Sequence, residues 1–202
     1  TRGRIPVSSV DASYMIDKST GYIKLNKFTE NSYEEFMQAM ENLLKQGMQS
    51  LIYDLRGNGG GFMNEAVDMA DEFLDGDKLI VYTAGVNNKK KEYRCKRPGL
   101  FEKGKLVLLV DELSASASEV LAGALQDWCR ATIIGRRTFG KGLVQEQYPL
   151  SDGSAIRLTV ARYYSPLGRS IQRSYENGKK VYMDELWERF NSGELLSADS
   201  IR

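Results

Sequence analysis

The chain has 202 residues, a formal net charge of +1 and no histidine. This length is enough for one well-buried domain, and the balanced charge excludes bulk electrostatic attraction to nucleic acid or to an anionic membrane surface. No apolar run approaches the roughly 20 residues that a membrane-spanning helix needs. The chain begins at Thr1 without a charged-apolar-small signal segment, so we expect it to be a piece of a longer or processed protein.

The two cysteines, Cys95 and Cys129, form no Cys-x-x-Cys pair. Without histidine, a zinc site of the usual Cys/His kind is excluded, and we predict neither a metal nor a cofactor. Two cysteines in a domain of this size are not a disulfide framework. Two buried, unpaired thiols are therefore favoured, and a disulfide stays open as the alternative.

The first half of the chain predicts strands that alternate with helices. Residues 1–20 lack a periodic pattern and are expected to be irregular. The predicted elements are a strand at 20–28, a helix that begins after Asn31 and ends at Gly47, a buried strand at 49–55, a helix at about 64–74 and a strand at 78–84. The polar stretch 87–91 is expected to form a loop or a hairpin tip.

The second half continues this alternation. The predicted elements are a buried strand at 105–111, a helix at 116–128, a short strand at 131–135, and two strands at 143–150 and 154–164 joined by a turn at 151–153. The segment 181–190 predicts an amphipathic helix, whose apolar residues at helical spacing are Met183, Leu186, Trp187 and Phe190. Alternating strands and helices without a linker or an internal repeat predict an α/β fold in a single domain.

Ser116 lies at the predicted start of a helix, where backbone N–H groups and the helix dipole favour negative charge. A serine hydroxyl becomes a nucleophile when a base removes its proton, and the N–H of Ala117 can then help to hold the oxyanion. On this stretch alone the structural alternative is the stronger one, because residues 116–119 fit a capping box in which the serine only ends the helix. Ser114 and Ser118 leave open which hydroxyl matters.

Lys141 is the candidate base, because the chain has no histidine for that role. It lies between Gly140 and Gly142 and beside Phe139, and an amine acts as a base only in its neutral form, which apolar burial or nearby cations favour. Taken alone, a Gly-Lys-Gly stretch is more often a surface turn, and it does not match a phosphate-binding P-loop. Gln145 shares a face with Lys141 in either a strand or a helix, so its amide can orient the lysine, although such a glutamine alone is usually polar surface.

The glycine run Gly59–Gly61 follows a buried strand and precedes a helix. A backbone without Cβ atoms turns sharply and approaches a ligand closely. Two interpretations stay open here: a phosphate cradle, or backbone N–H donors for an oxyanion. The spacing of a dinucleotide-binding loop is not met, because Phe62 stands where its third glycine is required.

Five stretches together resemble the core of the carboxy-terminal processing proteases, also called tail-specific proteases, of peptidase family S41. They are GYIKLNKF, YDLRGNGGG, SASASEVLAGALQD, IIGRRTFGKGLVQ and PLSDGSAIRLTVARYYSPLGRSIQ, which follow in family order from about residue 20 to residue 172. The resemblance implies the spiral α/β fold shared with ClpP and crotonase proteins. It also implies a serine endopeptidase that cleaves proteins near their C-termini with a Ser/Lys pair through an acyl-enzyme.

The resemblance further implies a site built from three side chains and a small set of backbone donors. The implied residues are Ser116 as nucleophile, Lys141 as base, Gln145 as its assistant, and the N–H groups of Ala117 and of Gly60 or Gly61 as oxyanion donors. No cofactor or metal is implied.

Family members usually carry a PDZ domain that binds the substrate's C-terminus. No segment of that size precedes residues 5–11, which resemble the stretch that follows such a domain. We therefore expect residues 1–202 to be one S41 core domain of a longer, exported protein of the bacterial cell envelope, periplasmic in location. Its expected partners are unstructured C-termini of proteins or peptides, the PDZ domain of the full-length chain and, as an option, further copies of itself. The isolated core is expected to be less active than the full protein.

Two other functions are alternatives to proteolysis on this fold. A non-catalytic ligand- or peptide-binding module on the same fold, as in retinoid-binding relatives of the family, predicts loss of the serine or the lysine, and both are present. A crotonase-like acyl-CoA enzyme would share the fold and an oxyanion hole, and only the fold analogy favours it.

Overall fold

The computed structural model describes residues 8–196. This part of the chain contains nine strands and four helices, which confirms the predicted α/β class. The strands are β1 (Val10–Met15), β2 (Thr20–Leu25), β3 (Ser50–Asp54), β4 (Leu79–Ala84), β5 (Lys91–Arg94), β6 (Lys105–Val110), β7 (Thr132–Gly135), β8 (Leu143–Pro149) and β9 (Ala155–Tyr164). The helices are α1 (Ser32–Lys45), α2 (Met63–Asp71), α3 (Ala117–Asp127) and α4 (Gly178–Asn191).

The larger of the two sheets has five strands in the order β1-β2-β3-β6-β7. β1 is antiparallel to β2, and the other neighbours are parallel. The carboxyl ends of β3 and β6 therefore lie side by side at one edge of the sheet. The loops that follow these two strands meet there, in the kind of position where open α/β sheets bind their ligands.

The smaller sheet is antiparallel and has the order β5-β4-β9-β8. β8 lies at its edge and begins directly after the Gly-Lys-Gly stretch. The second sheet therefore places the predicted base at the start of a strand with one unpaired side.

The core lies between the larger sheet and the helices that pack on it. Phe36, Tyr53 and Phe73 are completely buried, and their rings lie 5.3 to 6.0 Å apart. Phe36, Met40 and Leu43 form an apolar stripe at helical spacing on α1, and all three face this core. Aromatic groups of this size supply much of the apolar burial that stabilises a domain.

Two strands lie where the sequence predicts none. β1 falls within the segment expected to be irregular, and β5 follows the predicted polar loop. Both lie at sheet edges, and neither contains a fully buried side chain. An edge strand of this kind carries little apolar alternation, so the sequence pattern gives no signal for it.

The helix predicted near the C-terminus is present as α4, but its apolar stripe does not face the core. Met183 is 63% exposed and Trp187 is 68% exposed. The side chains that hold α4 to the body are instead polar, among them Glu185 and Arg189. The predicted helix is therefore present, and its apolar stripe is exposed in the described part of the chain.

Both cysteines are free thiols, so the disulfide alternative is not realised. Cys95 is buried and Cys129 is exposed, which corrects the expectation that both unpaired thiols lie inside. Burial and the neighbouring carboxylate of Asp71 raise the pKa of Cys95 to about 12. The Cys95 thiol is therefore protonated at neutral pH and unreactive as a nucleophile.

Met40 and Met183 provide a matched test of which helix faces are buried. Met40→Ala should lower the free energy of unfolding by about 2–5 kcal/mol, because it leaves a cavity in the core. Met183→Ala should change it by less than about 0.5 kcal/mol, because that side chain is mostly in water. Urea or thermal unfolding of both variants measures this difference, and equal losses would contradict the described position of α4.

Candidate active site

Two loops meet at the amino end of α3, and buried serines hold them together. The loop after β3 carries the glycine run, and the loop after β6 carries the three serines. Ser114 Oγ donates to the Leu55 carbonyl oxygen at 2.8 Å, and Ser118 Oγ donates to the Asn58 carbonyl oxygen at 2.9 Å. Both serines are completely buried. Their hydroxyls therefore join the loops and do not face a substrate.

Ser116 differs from both neighbours in exposure and in backbone conformation. It is partly exposed, and its φ of 57° and ψ of −113° lie outside the regions that side chains with a Cβ usually adopt. Strain of this kind is concentrated at functional sites, where the surrounding contacts enforce it. One half of the predicted capping box is present, because the Glu119 side chain accepts the N–H of Ser116. The Ser116 side chain makes no capping hydrogen bond among the described residues, since the N–H of Glu119 donates to the Ser116 backbone carbonyl oxygen. The helix start is thus capped by Glu119 and not by the Ser116 hydroxyl.

Gly60 touches the turn that carries Ser116. A Cβ atom at Gly60 would lie 2.5 Å from the Ala115 carbonyl oxygen and 2.9 Å from the Ala117 nitrogen. The φ of Gly60 is also +92°, in the left-handed region that favours glycine. The close approach of the two loops therefore requires glycine at this position.

The backbone donors near Ser116 differ in how they are already used. The N–H of Gly60 donates to Asn58 Oδ1 at 2.9 Å, and Asn58 is itself buried and donates to the Leu25 carbonyl oxygen. Across residues 8–196, the N–H groups of Ala117 and Gly61 have no hydrogen-bond acceptor. Two unused donors thus flank the Gly60 contact.

The Gly-Lys-Gly stretch is packed closely against the chain and is not a free surface turn. A Cβ atom at Gly140 would lie 2.7 Å from the Cβ of Arg173, and one at Gly142 would lie 2.4 Å from the Gln172 nitrogen. Backbone and side-chain hydrogen bonds join the same segments at 3.0 Å. The Lys141 side chain between the two glycines is exposed.

The carboxylate of Glu119 joins the serine turn to the lysine turn. Its Oε2 accepts the N–H of Ser116 and the N–H of Lys141, each at 2.8 Å. Its Oε1 accepts the N–H of Gly140 at 2.6 Å and the hydroxyl of Thr138 at 2.7 Å. The backbone nitrogens of Ser116 and Lys141 are therefore no farther apart than the summed lengths of these two 2.8 Å hydrogen bonds.

Sequence reasoning identified Glu119 only as the reciprocal member of the capping box. The pattern S-x-x-E signals one local hydrogen bond, to Ser116 N–H, and that bond is present. The other three donors come from residues 138–141. A sequence pattern within one helix cannot predict hydrogen bonds from a segment that lies about twenty residues away. The role of Glu119 in joining the two turns was therefore missed.

Gln145 lies in β8, where it pairs with Thr159 of β9. The pairing register shifts between Val144 and Gln145, so the simple alternation that places Gln145 on the same strand face as Lys141 does not apply there. Among the described residues no hydrogen bond joins the two side chains. The assisting role of Gln145 stays a prediction.

An ion pair between the buried Asp54 and the half-exposed Arg56 anchors the start of the glycine loop. Asp54 is completely buried at the end of β3, where Arg56 donates to it at 2.6 Å and the Tyr22 hydroxyl donates at 2.7 Å. Burial alone would raise the pKa of Asp54, but these hydrogen bonds outweigh it and lower the pKa. Burial and Asp54 raise the pKa of Tyr22 to about 12. This pair therefore stays charged and the tyrosine neutral at ordinary pH.

Residues 8–196 contain no group of three or more Cys, Asp or Glu side chains arranged to hold a metal ion. The site consists of a strained serine, a lysine on an adjacent turn and unused backbone N–H groups. Such a set of groups is suited to nucleophilic acyl transfer.

The sequence profile of peptidase family S41 matches residues 19–178, and the chain therefore belongs to this family. It is 42% identical over 156 residues to the carboxyl-terminal-processing protease of Synechocystis sp., covering 77% of this chain and 36% of the relative. It is 37% identical over 172 residues to the carboxy-terminal processing protease CtpA of Bacillus subtilis, covering 85% and 36%.

The fold is also that of solved S41 protease domains. The photosystem II D1 C-terminal processing protease matches with a TM-score of 0.70 and 40% identity, over 81% of this chain and 43% of that chain. The family and fold that the sequence motifs implied are thus confirmed. The chain spans little more than a third of the length of the two curated relatives.

Gly59 and Gly60 give a matched test of the contact between the loops. Gly60→Ala should destabilise the protein by about 2 kcal/mol or more, because the new Cβ meets backbone atoms and the backbone has a positive φ. Gly59→Ala should have little effect, because a Cβ there meets nothing within 4 Å. Thermal unfolding distinguishes the two variants, and a tolerated Gly60→Ala would contradict the described contact.

Replacing Glu119 tests the shared carboxylate. Glu119→Gln leaves one acceptor oxygen and adds an N–H₂ group that faces backbone donors, so we expect a loss of about 1–3 kcal/mol in unfolding free energy. Glu112→Gln is the matched control, since Glu112 pairs with the partly exposed Arg136. Chemical unfolding of both variants measures the difference. Equal small losses would show that Glu119 does not hold the turns.

Proposed function

We propose that this chain is the catalytic core of a serine endopeptidase that cleaves proteins near their C-termini through an acyl-enzyme. The observation that carries the proposal is the Glu119 carboxylate, which binds the backbone N–H of both Ser116 and Lys141. A shared acceptor keeps the nucleophile and the base on adjacent turns. Membership of peptidase family S41 supports the same conclusion.

In the proposed mechanism, the neutral amine of Lys141 takes the proton of the Ser116 hydroxyl. The serine oxygen attacks the scissile carbonyl carbon and forms a tetrahedral intermediate. The intermediate collapses, the peptide C–N bond breaks, and the lysine ammonium returns its proton to the leaving amine. Water then attacks the acyl-enzyme ester, and the serine is released with a new carboxyl terminus on the substrate.

We assign the oxyanion hole to the N–H groups of Ala117 and Gly61. Both lack an acceptor among residues 8–196, whereas the N–H of Gly60 donates to Asn58. Gly60 serves by having no side chain, which leaves space beside the serine turn. Donors that are already oriented stabilise the developing negative charge without reorganisation.

The exposure of Lys141 is part of this proposal. A lysine acts as a base only when its amine is neutral. We propose that the bound substrate chain and the PDZ domain of the full-length protein cover the lysine and exclude water, which favours the neutral amine. Gln145 on β8 is proposed to orient the covered amine.

The substrate is proposed to be an unstructured polypeptide that binds in an extended form. β8 follows the lysine turn directly and lies at the edge of its sheet. An unpaired strand edge binds extended chains through backbone hydrogen bonds, with little dependence on sequence. This mode suits substrates that are selected by an accessible C-terminus.

We further propose that the full protein is exported and acts in the bacterial cell envelope, in the periplasm, with further copies of itself as optional partners. Within the described residues, no helix is long and apolar enough to cross a bilayer. Residues 1–202 are proposed to form one S41 core domain of this longer protein.

Replacement of Ser116, Lys141 and Ser118 in the intact protein tests which residues are the proposed nucleophile and base. Ser116→Ala and Lys141→Ala should each lower the cleavage rate of an unfolded protein with a small apolar C-terminus by at least about a thousandfold, with little change in stability. Ser118→Ala should instead lower the stability and change the cleavage rate little, since it removes a buried hydrogen bond worth about 1 kcal/mol or more.

Mass spectrometry of the cleavage products measures the rate, and unfolding curves measure the stability. Unchanged cleavage by Ser116→Ala and Lys141→Ala would refute the protease mechanism. Binding of C-terminal peptides without any cleavage by the wild-type protein would favour the non-catalytic module instead.

A further inference from the structure

α4 lies almost entirely beyond the segment that the family profile matches, which ends at residue 178. Within residues 8–196, the buried apolar core contains no side chain of this helix. Its apolar residues Met183, Trp187 and Phe190 are exposed. Hydrophobic burial therefore does not explain the position of α4. Its polar contacts hold it in place.

The polar contacts of α4 converge on the segment that holds the lysine turn. Glu185 accepts hydrogen bonds from the guanidinium groups of Arg137 and Arg173. Arg173 also donates to the Tyr182 carbonyl oxygen at 3.0 Å, and its guanidinium lies 3.9 Å from the centre of the Tyr182 ring. Arg189 is buried and donates to the Arg137 carbonyl oxygen at 3.2 Å.

Gln172 and Arg173 form hydrogen bonds with the two glycines that flank Lys141. The buried Gln172 accepts the N–H of Gly142 through Oε1 at 3.0 Å, and its Nε2 donates to the Arg173 carbonyl oxygen. The backbone N–H of Arg173 donates to the Gly140 carbonyl oxygen at 3.0 Å. The two residues that flank the lysine are thus both bonded to the segment that α4 holds.

We propose that Gln172, Arg173 and Glu185 are positioning residues for Lys141, and that docking of α4 through Glu185 sets the orientation of the lysine amine. This inference rests on the proposed role of Lys141 as the base. Glu119 fixes the lysine turn from the serine side, and the Gln172–Arg173 segment fixes it from the opposite side. Loss of Glu185 removes one support of the Gln172–Arg173 segment and leaves the attachment to Glu119 in place.

Glu185→Gln in the intact protein tests the proposal, because it neutralises a carboxylate that does not touch Lys141. We expect kcat on an unstructured peptide to fall about tenfold while KM stays within about twofold, since orientation of the base and not substrate binding is lost. Glu185→Asp should restore part of kcat. The control is Glu188→Gln on the same helix, where the side chain is exposed, and it should match the wild type.

Acetylation of Lys141, measured by mass spectrometry relative to the exposed Lys103, provides a readout that does not depend on cleavage. Glu185→Gln should change this ratio at least about twofold, and Glu188→Gln should leave it unchanged. If the wild type does not cleave but the ratio changes, the proposed function fails and the positioning role stands. An unchanged ratio, or a rise in KM with unchanged kcat, would overturn the positioning role, provided that thermal unfolding shows both variants folded.

Discussion

A single buried carboxylate, that of Glu119, accepts four hydrogen bonds from two segments that are distant in sequence. A carboxylate that is removed from water costs several kcal/mol unless such donors surround it. The donors available here are the backbone of Ser116 and the turn around Lys141. The amino end of α3 also favours negative charge at this point. Satisfying one buried charge thus determines where both proposed catalytic residues lie.

The rest of the fold supports this junction. Parallel pairing of β3 and β6 brings the glycine loop and the serine loop to one edge of the larger sheet. Buried hydroxyl groups of Ser114 and Ser118 tie these loops together, and Gly60 permits their close approach. The lysine turn is held from the other side by Gln172 and Arg173. Each contact restrains a backbone position and leaves the Ser116 hydroxyl and the Lys141 amine available.

Much of this arrangement could be predicted from the sequence, and the failures have physical reasons. The stripe of α1 was predictable because the apolar residues that recur at helical spacing are the ones that the core buries. The stripe of α4 was not, because periodicity identifies a face without saying whether the body covers it. Ser116 and Lys141 were identified by motif and by the lack of histidine. The role of Glu119 depends on donors from residues 138–141, and only the tertiary fold brings these to the helix.

The proposed mechanism requires that the Ser116 hydroxyl and the Lys141 amine form a hydrogen bond when substrate covers the site. A crystal structure of the intact protein, as Ser116→Cys with a peptide bound, or as wild type with a boronate on the serine, would measure this directly. We expect about 3 Å between the nucleophile atom of residue 116 and Lys141 Nζ, with the amine shielded from water. A separation of several ångströms, with Lys141 still in solvent while the peptide is bound, would contradict it.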